Sequence, residues 1–185
     1  MKRVFFTLLM IVGVTVQCFS VQYKLCVVTR NLNLRNAPFP DGEIVCVMPE
    51  GSYVVLKEYE HVKFAEGYVS VLYIDKDISG YASSTYLKFV QNIETDESGV
   101  LEKAGVSEGL DPEIEITNDT NRNITVRING KSFPFTPRQV MTITCEAGSV
   151  DILASSPGVI PYSAKDFVEE NALYTWKFYI KTRYR

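Results

Sequence analysis

The chain has 185 residues, 46% of them hydrophobic and 22% charged, with 19 Lys and Arg against 22 Asp and Glu for a formal charge of −3. That balance excludes the broad basic face a nucleic-acid binder needs, and the length holds one ordinary domain or two small ones. The acid is unevenly placed: residues 91–112 carry 6 acidic and 1 basic side chains, while both flanks are close to neutral.

The N-terminus reads as a secretory signal peptide over residues 1–20. Lys2 and Arg3 precede an apolar run from Val4 to Val16, and small or polar residues follow in "QCFS". The run is shorter than the roughly 20 residues a permanent membrane helix needs, and no later segment is long and apolar enough to span a bilayer. Cleavage after Ser20 leaves about 165 residues and, with Lys2 and Arg3 gone, a formal charge of −5. The rival reading makes Cys18 the lipid-bearing residue of a bacterial lipoprotein, and it fits less well because Gln17 stands where a small residue is usual. Either way the chain is expected outside the cytoplasm. Cys26, Cys46 and Cys145 remain after cleavage, and an odd number cannot form a complete disulfide framework. A Cys26–Cys46 bridge suits an oxidising compartment; the favoured reading is that all three are small packed hydrophobes.

Short alternating segments broken by Gly, Pro and Asn predict an all-β fold. A first domain over residues 21–91 has strands at "KLCVVT", "LNLR", "EIVCVM", "SYVVLKEYE", "YVSVLYI" and "GYASS", a spacing that suits a compact barrel. Residues 92–111, rich in acid, Gly and Ser, read as a mobile linker that lets two domains reorient. Residues 112–185 form a second domain with a β-sandwich-like pattern. There Ile124, Val126 and Ile128 alternate up to Asn129-Gly130, a strong hairpin signal because both turn residues must accept positive φ. Phe133 and Phe135 face the core on the return strand, which Pro134 makes an edge. Met141, Ile143 and Cys145 share a face, as do Val150, Ile152 and Ala154. In "YTWKFYIKT" Tyr174, Trp176, Phe178 and Ile180 face inward, and Lys177, Tyr179 and Lys181 form either a contact strip or a wet sheet face.

"LNLRNAP", "MPEGSYVVL", "GYVSV" and "GYASSTYL" come in that order over residues 24–89. Together they resemble the bacterial Src-homology-3-like (SH3-like) domain, whose pattern is a Leu-Asn-Val-Arg strand ending at a small residue and Pro, then Gly-Trp-x-x-Val and Gly-Trp/Tyr-Val with a terminal Tyr-Leu. Leu34 replaces the Val, Tyr68 the Trp and Ala82 a Val. The stretch from Glu60 to Gly80 is longer than the family minimum, so the loops around His61 and Asp75 are particular to this chain. The resemblance implies a five- or six-stranded barrel of secreted or envelope proteins, non-catalytic, which binds cell-wall peptides or other proteins. The second domain faintly resembles C-terminal modules of bacterial envelope proteins, and no activity follows from that.

No catalytic set emerges. A cysteine hydrolase needs a reactive Cys beside a His. His61 is the only His, and Cys26 and Cys46 lie in apolar strands without the positive surroundings that lower a thiol pKa. There is no metal-ligand spacing, no phosphate cradle, and no cofactor is expected. The two sequons, "NDT" at 118–120 and "NIT" at 123–125, read as turn chemistry. Tyrosine offers contact area at low entropic cost; Tyr53, Tyr59, Tyr68, Tyr73, Tyr81 and Tyr86 crowd the first domain. Of these, Tyr68 and Tyr81 fall at semi-buried positions by the family pattern, and Tyr59, Tyr73 and Tyr86 are expected to face a ligand with Arg35 and Asn36. The expected function is a non-catalytic, secreted or periplasmic binding protein of a bacterial envelope, holding a cell-wall peptide or an envelope protein. A structural adaptor is the alternative, and a cysteine hydrolase ranks last. The oligomeric state is left open.

Overall fold

A computed structural model describes residues 22–58 and 67–179. It is all-β, as the alternation predicts, and no α-helix occurs among the described residues. Nor is any helix among them long and apolar enough to cross a membrane.

The N-terminal part is one antiparallel seven-stranded sheet. Its strands are β1 (Gln22–Val28), β2 (Leu32–Arg35), β3 (Ile44–Met48), β4 (Tyr53–Glu58), β5 (Tyr68–Tyr73), β6 (Ile78–Ser83) and β7 (Leu87–Ile93), in the order β3-β2-β6-β5-β4-β1-β7. Each strand expected from "KLCVVT" to "GYASS" is present, and β7 adds a seventh from "LKFVQNI". Leu34, Met48, Val54 and Ala82 are fully buried in one cluster with Cys26, Val28, Val71 and Tyr73. That cluster draws only on the sheet's own strands and on Tyr86 of the 3-10 turn Ser84–Tyr86. A flat sheet would leave such a face wet, so the sheet curls over its own apolar face.

One close approach fixes that curl. A Cβ at Gly80 would lie 2.7 Å from the Arg35 carbonyl oxygen and 2.8 Å from Leu34 Cγ. β6 meets β2 there, with Arg35 paired to Tyr81, so the glycine of "GYASS" is what lets the "LNLR" strand lie against it.

The C-terminal part pairs two sheets. One is β13 (Val140–Thr144), β10 (Glu113–Asn118), β16 (Leu173–Phe178) and β9 (Glu102–Gly105); the other is β12 (Lys131–Phe135), β11 (Ile124–Ile128), β14 (Gly148–Ser156), β15 (Val159–Val168) and β8 (Thr95–Asp96), each in spatial order. Ile114, Ile116 and Tyr174 of the first sheet and Val126, Ile152 and Phe135 of the second share one buried cluster. Asn129 and Gly130 turn between β11 and β12 at φ 50° and 82°, and β12, with Pro134, is an edge strand. Asn118 is buried where β10 ends. Its Nδ2 donates to the carbonyls of Arg122 and Thr136, both at 2.8 Å, and its Oδ1 accepts from the Thr120 amide and hydroxyl. The first sequon asparagine is thus wholly used in shaping a turn.

Two expectations are corrected. Residues 92–111 are not a free linker, because β8 edges one sheet beside β15 and β9 edges the other beside β16. Side-chain bonds also tie the segment down: its Asp96 takes the Ser98 amide and hydroxyl, and Asp166 of β15 takes the amides of Val100 and Leu101 at 2.7 and 2.8 Å. Nor are the two parts free to reorient. Leu153 of β14 packs with Tyr23, Leu25, Val55, Leu72 and Ile74 on the outer face of the first sheet, and the Gly158 amide donates to the Ile74 carbonyl at 3.0 Å. Beside this contact the Asp77 carboxylate accepts the hydroxyls of Thr125 and Ser155, both at 2.6 Å, and pairs with Arg127 at 3.4 Å.

Candidate functional site

Of the residues expected to contact a ligand in the first part, Arg35, Asn36, Tyr73 and Tyr86 are drawn into its own structure. Arg35 Nη1 donates to the Gly42 carbonyl at 2.5 Å, and the Asn36 amide to that of Glu43 at 3.1 Å. Asn36 Nδ2 also reaches the Glu43 carboxylate at 3.3 Å. Both side chains therefore clasp the loop between β2 and β3. The expectation that Tyr73 faces a ligand is overturned: it is 3% exposed, in the same buried row as Val69 and Val71. Its hydroxyl lies 3.5 Å from Ser52 Oγ, and burial raises its pKa. Tyr86 is half-buried, with the Arg30 guanidinium 4.7 Å over its ring. Tyr59 and His61 lie outside the described residues, as do Ile180 and Lys181.

The Cys26–Cys46 bridge does not form. Cys26 is a core residue, Cys46 packs against that core, and Cys145 packs against the core of the C-terminal part. Burial, with Asp111 adding, pushes the Cys145 thiol pKa up, away from the reactive thiolate. Among the described residues no group of three His, Cys, Asp or Glu comes together as a metal site.

A cavity of about 890 Å³ opens instead between the two C-terminal sheets. Its origin is the shortness of β8 and β9. β9 pairs with β16 only from Leu173 to Thr175, and β8 pairs with β15 only at Ser163 and Ala164. Past Thr175 on β16 and before Ser163 on β15, neither strand pairs along that edge among the described residues, and the seam between the sheets stays open. Tyr162, Trp176 and Phe178, each half-buried, line the opening. The Trp176 and Phe178 rings meet edge to face, with centroids 5.7 Å apart and planes at 83°, and Tyr162 lies 6.4 Å from Trp176.

Two carboxylates stand at the mouth. Asp96, the last residue of β8, accepts the Tyr162 hydroxyl at 2.8 Å in addition to Ser98. The Ser98 bonds first, and then that of Tyr162, hold its pKa below the usual carboxylate range. Burial first, then Asp96, drives the Tyr162 pKa upward, so the phenol keeps its proton. Glu102 begins β9 and is exposed. Lys177, also at the cleft, is drawn aside by Asp119, which it meets at 3.0 Å and which also pairs with Arg138. Lys177 and Tyr179 are exposed, as the reading of an outward strip required.

Alternation assigned Trp176 and Phe178 to the core, and they do lie on that face; what it did not reveal is that the core is open there. Comparison with models of known families, with curated proteins and with solved structures finds no match.

Proposed function

We propose that the chain is a non-catalytic, extracytoplasmic binding protein of a bacterial envelope, in which an SH3-like barrel carries a sandwich-like domain as its ligand-binding head. The observation that carries this reading is the open seam of the C-terminal sheets. A cavity lined by a few aromatic rings with fixed polar groups at its mouth is the usual build of a ligand seat, and preformed rings lose little entropy on contact. The barrel reading draws support from the ordered motifs of residues 24–89, the curled sheet and the close approach at Gly80. The non-catalytic reading draws support from Cys26 lying in the core and from a Tyr162–Asp96 pair that holds shape with its proton in place. The ligand is a wall peptide or a segment of an envelope protein, taken at this seam rather than by the first domain's tyrosines.

Retention of the full mature chain on purified wall sacculi tests this. Trp176→Ala is expected to cut retention at least about tenfold, the scale of one lost aromatic anchor, while Tyr86→Ala leaves it unchanged. Absence of retention removes the wall-binding form. Loss with Tyr86→Ala alone returns the seat to the barrel.

The adaptor reading has one observation of its own. β3 is an edge strand with Val45 and Val47 exposed, and such an edge can accept a partner's strand. Crosslinking in cells to one stoichiometric envelope partner, without wall retention, would favour it.

A further inference from the structure

We infer that the cleft between the C-terminal sheets takes an organic cation, an ammonium group carried on a peptide or a small molecule, against Trp176 with Asp96 and Glu102 as counter-charges. The inference rests on the reading of this cleft as the ligand seat and names the chemistry it selects.

Three observations point the same way. The rings do not form one flat platform, as stacking on a sugar face favours. Trp176 and Phe178 stand at 83° and make a corner, and aromatic faces turned around a point suit a cation, drawn by the ring quadrupoles. The charges at the mouth are negative, and among the described residues neither Asp96 nor Glu102 has an ion-pair partner. The nearby cation, Lys177, is engaged by Asp119 at 3.0 Å. Finally, one of the two negative charges is fixed beforehand: Asp96 is held by the Ser98 amide and hydroxyl and by the Tyr162 hydroxyl, so that side chain need not be ordered when a cation arrives.

Trp176 is the only tryptophan of the chain, so its fluorescence reports the cleft without a label. The full mature protein is titrated at constant ionic strength with tetramethylammonium and Nα-acetyl-lysine amide, and in parallel with tert-butanol and N-acetylglucosamine oligomers. A saturable change is expected with at least one ammonium compound, about tenfold weaker for the neutral tert-butanol. Response to the lysine amide alone assigns a peptide source; response to tetramethylammonium alone assigns a quaternary headgroup. Glu102→Gln, at an exposed position that does not threaten folding, is expected to weaken binding about fivefold. Equal response to tert-butanol, response to the sugar oligomers alone, or no response overturns the cation. If wall retention then still depends on Trp176, only the ligand class has failed. If retention is also indifferent to Trp176, the cleft reading has failed with it.

Discussion

The hydroxyl of Ser155 donates to the carboxylate of Asp77 at 2.6 Å, and the bond joins the two-sheet part to the seven-stranded sheet. Asp77 sits in the turn between β5 and β6 at φ 53°. The same oxygen faces Arg127 at 3.4 Å, and the two side chains are only 7% and 14% exposed. A turn of the first sheet thus becomes the joint that fixes the two-sheet part on it.

Asp77→Ala is expected to leave Arg127 nearly buried and unpaired, at a cost of about 3 kcal/mol. Thermal unfolding should drop by several degrees, and limited proteolysis should begin to cut between β7 and β8. Asp77→Asn, which keeps an acceptor for Ser155, should lose less. An unchanged melting temperature in Asp77→Ala would remove the joint from the account.

Gly80→Ala is expected to cost about 1–3 kcal/mol, because its methyl meets backbone that cannot step aside. Gly105→Ala is the matched control: a Cβ there meets nothing within 4 Å, so the change should be close to neutral. Urea midpoints of the two variants compare them directly, and equal midpoints would show that β6 and β2 have room.

Asn118 is expected to tolerate neither Ala nor Asp. Asp keeps the acceptor for Thr120 but removes both Nδ2 donors, leaving the carbonyls of Arg122 and Thr136 without them. Two lost bonds at a buried site cost about 2–4 kcal/mol. Equilibrium unfolding checks this, with Asn123→Asp at the exposed second sequon as the near-neutral comparison.

What could be read in the sequence follows from how local each signal is. The Asn129-Gly130 hairpin is written in two residues whose backbone must adopt positive φ, and the β12 edge in one proline. Tyr73 was legible too: it stands two and four residues beyond Val71 and Val69, and strict alternation puts all three on the buried face. Treating it as a ligand contact set tyrosine's general usefulness above its own register. β8 and β9 were not legible, because a strand of two residues and one of four have no period to detect. Their pairing partners lie far along the chain, and β8 pairs in parallel. The cleft was hidden for the same reason, since it exists where those two strands stop. Asp96 reads as one more acid of a mobile linker because nothing local reveals that Tyr162, 66 positions away, donates to it.

Tyr162 gives a pH test with a definite sign. Burial and Asp96 raise its pKa above the ordinary value of 10.0. Below pH 10 the phenol is protonated in folded and unfolded chains alike, and its contribution to stability is fully present. As the pH rises beyond that, the unfolded chain ionises while the folded chain holds its proton, so stability falls with pH. Tyr162→Phe removes that loss, and its melting temperature should decline less steeply between pH 9 and 11 than the parent's. Other tyrosines, Tyr73 included, titrate in both proteins and cancel in the comparison. At the acid end the sign reverses. The Asp96 pKa is depressed, so its contribution is present above the usual carboxylate range and lost as the pH falls. With the Tyr162 donor gone and the Ser98 bonds kept, the pKa is depressed less, so that loss should be smaller and complete at a slightly higher pH. Parallel melting curves for the two proteins at both ends would mean that the phenol and the carboxylate do not share a proton-dependent bond, and the fixed negative charge at the cleft mouth would lose its physical basis.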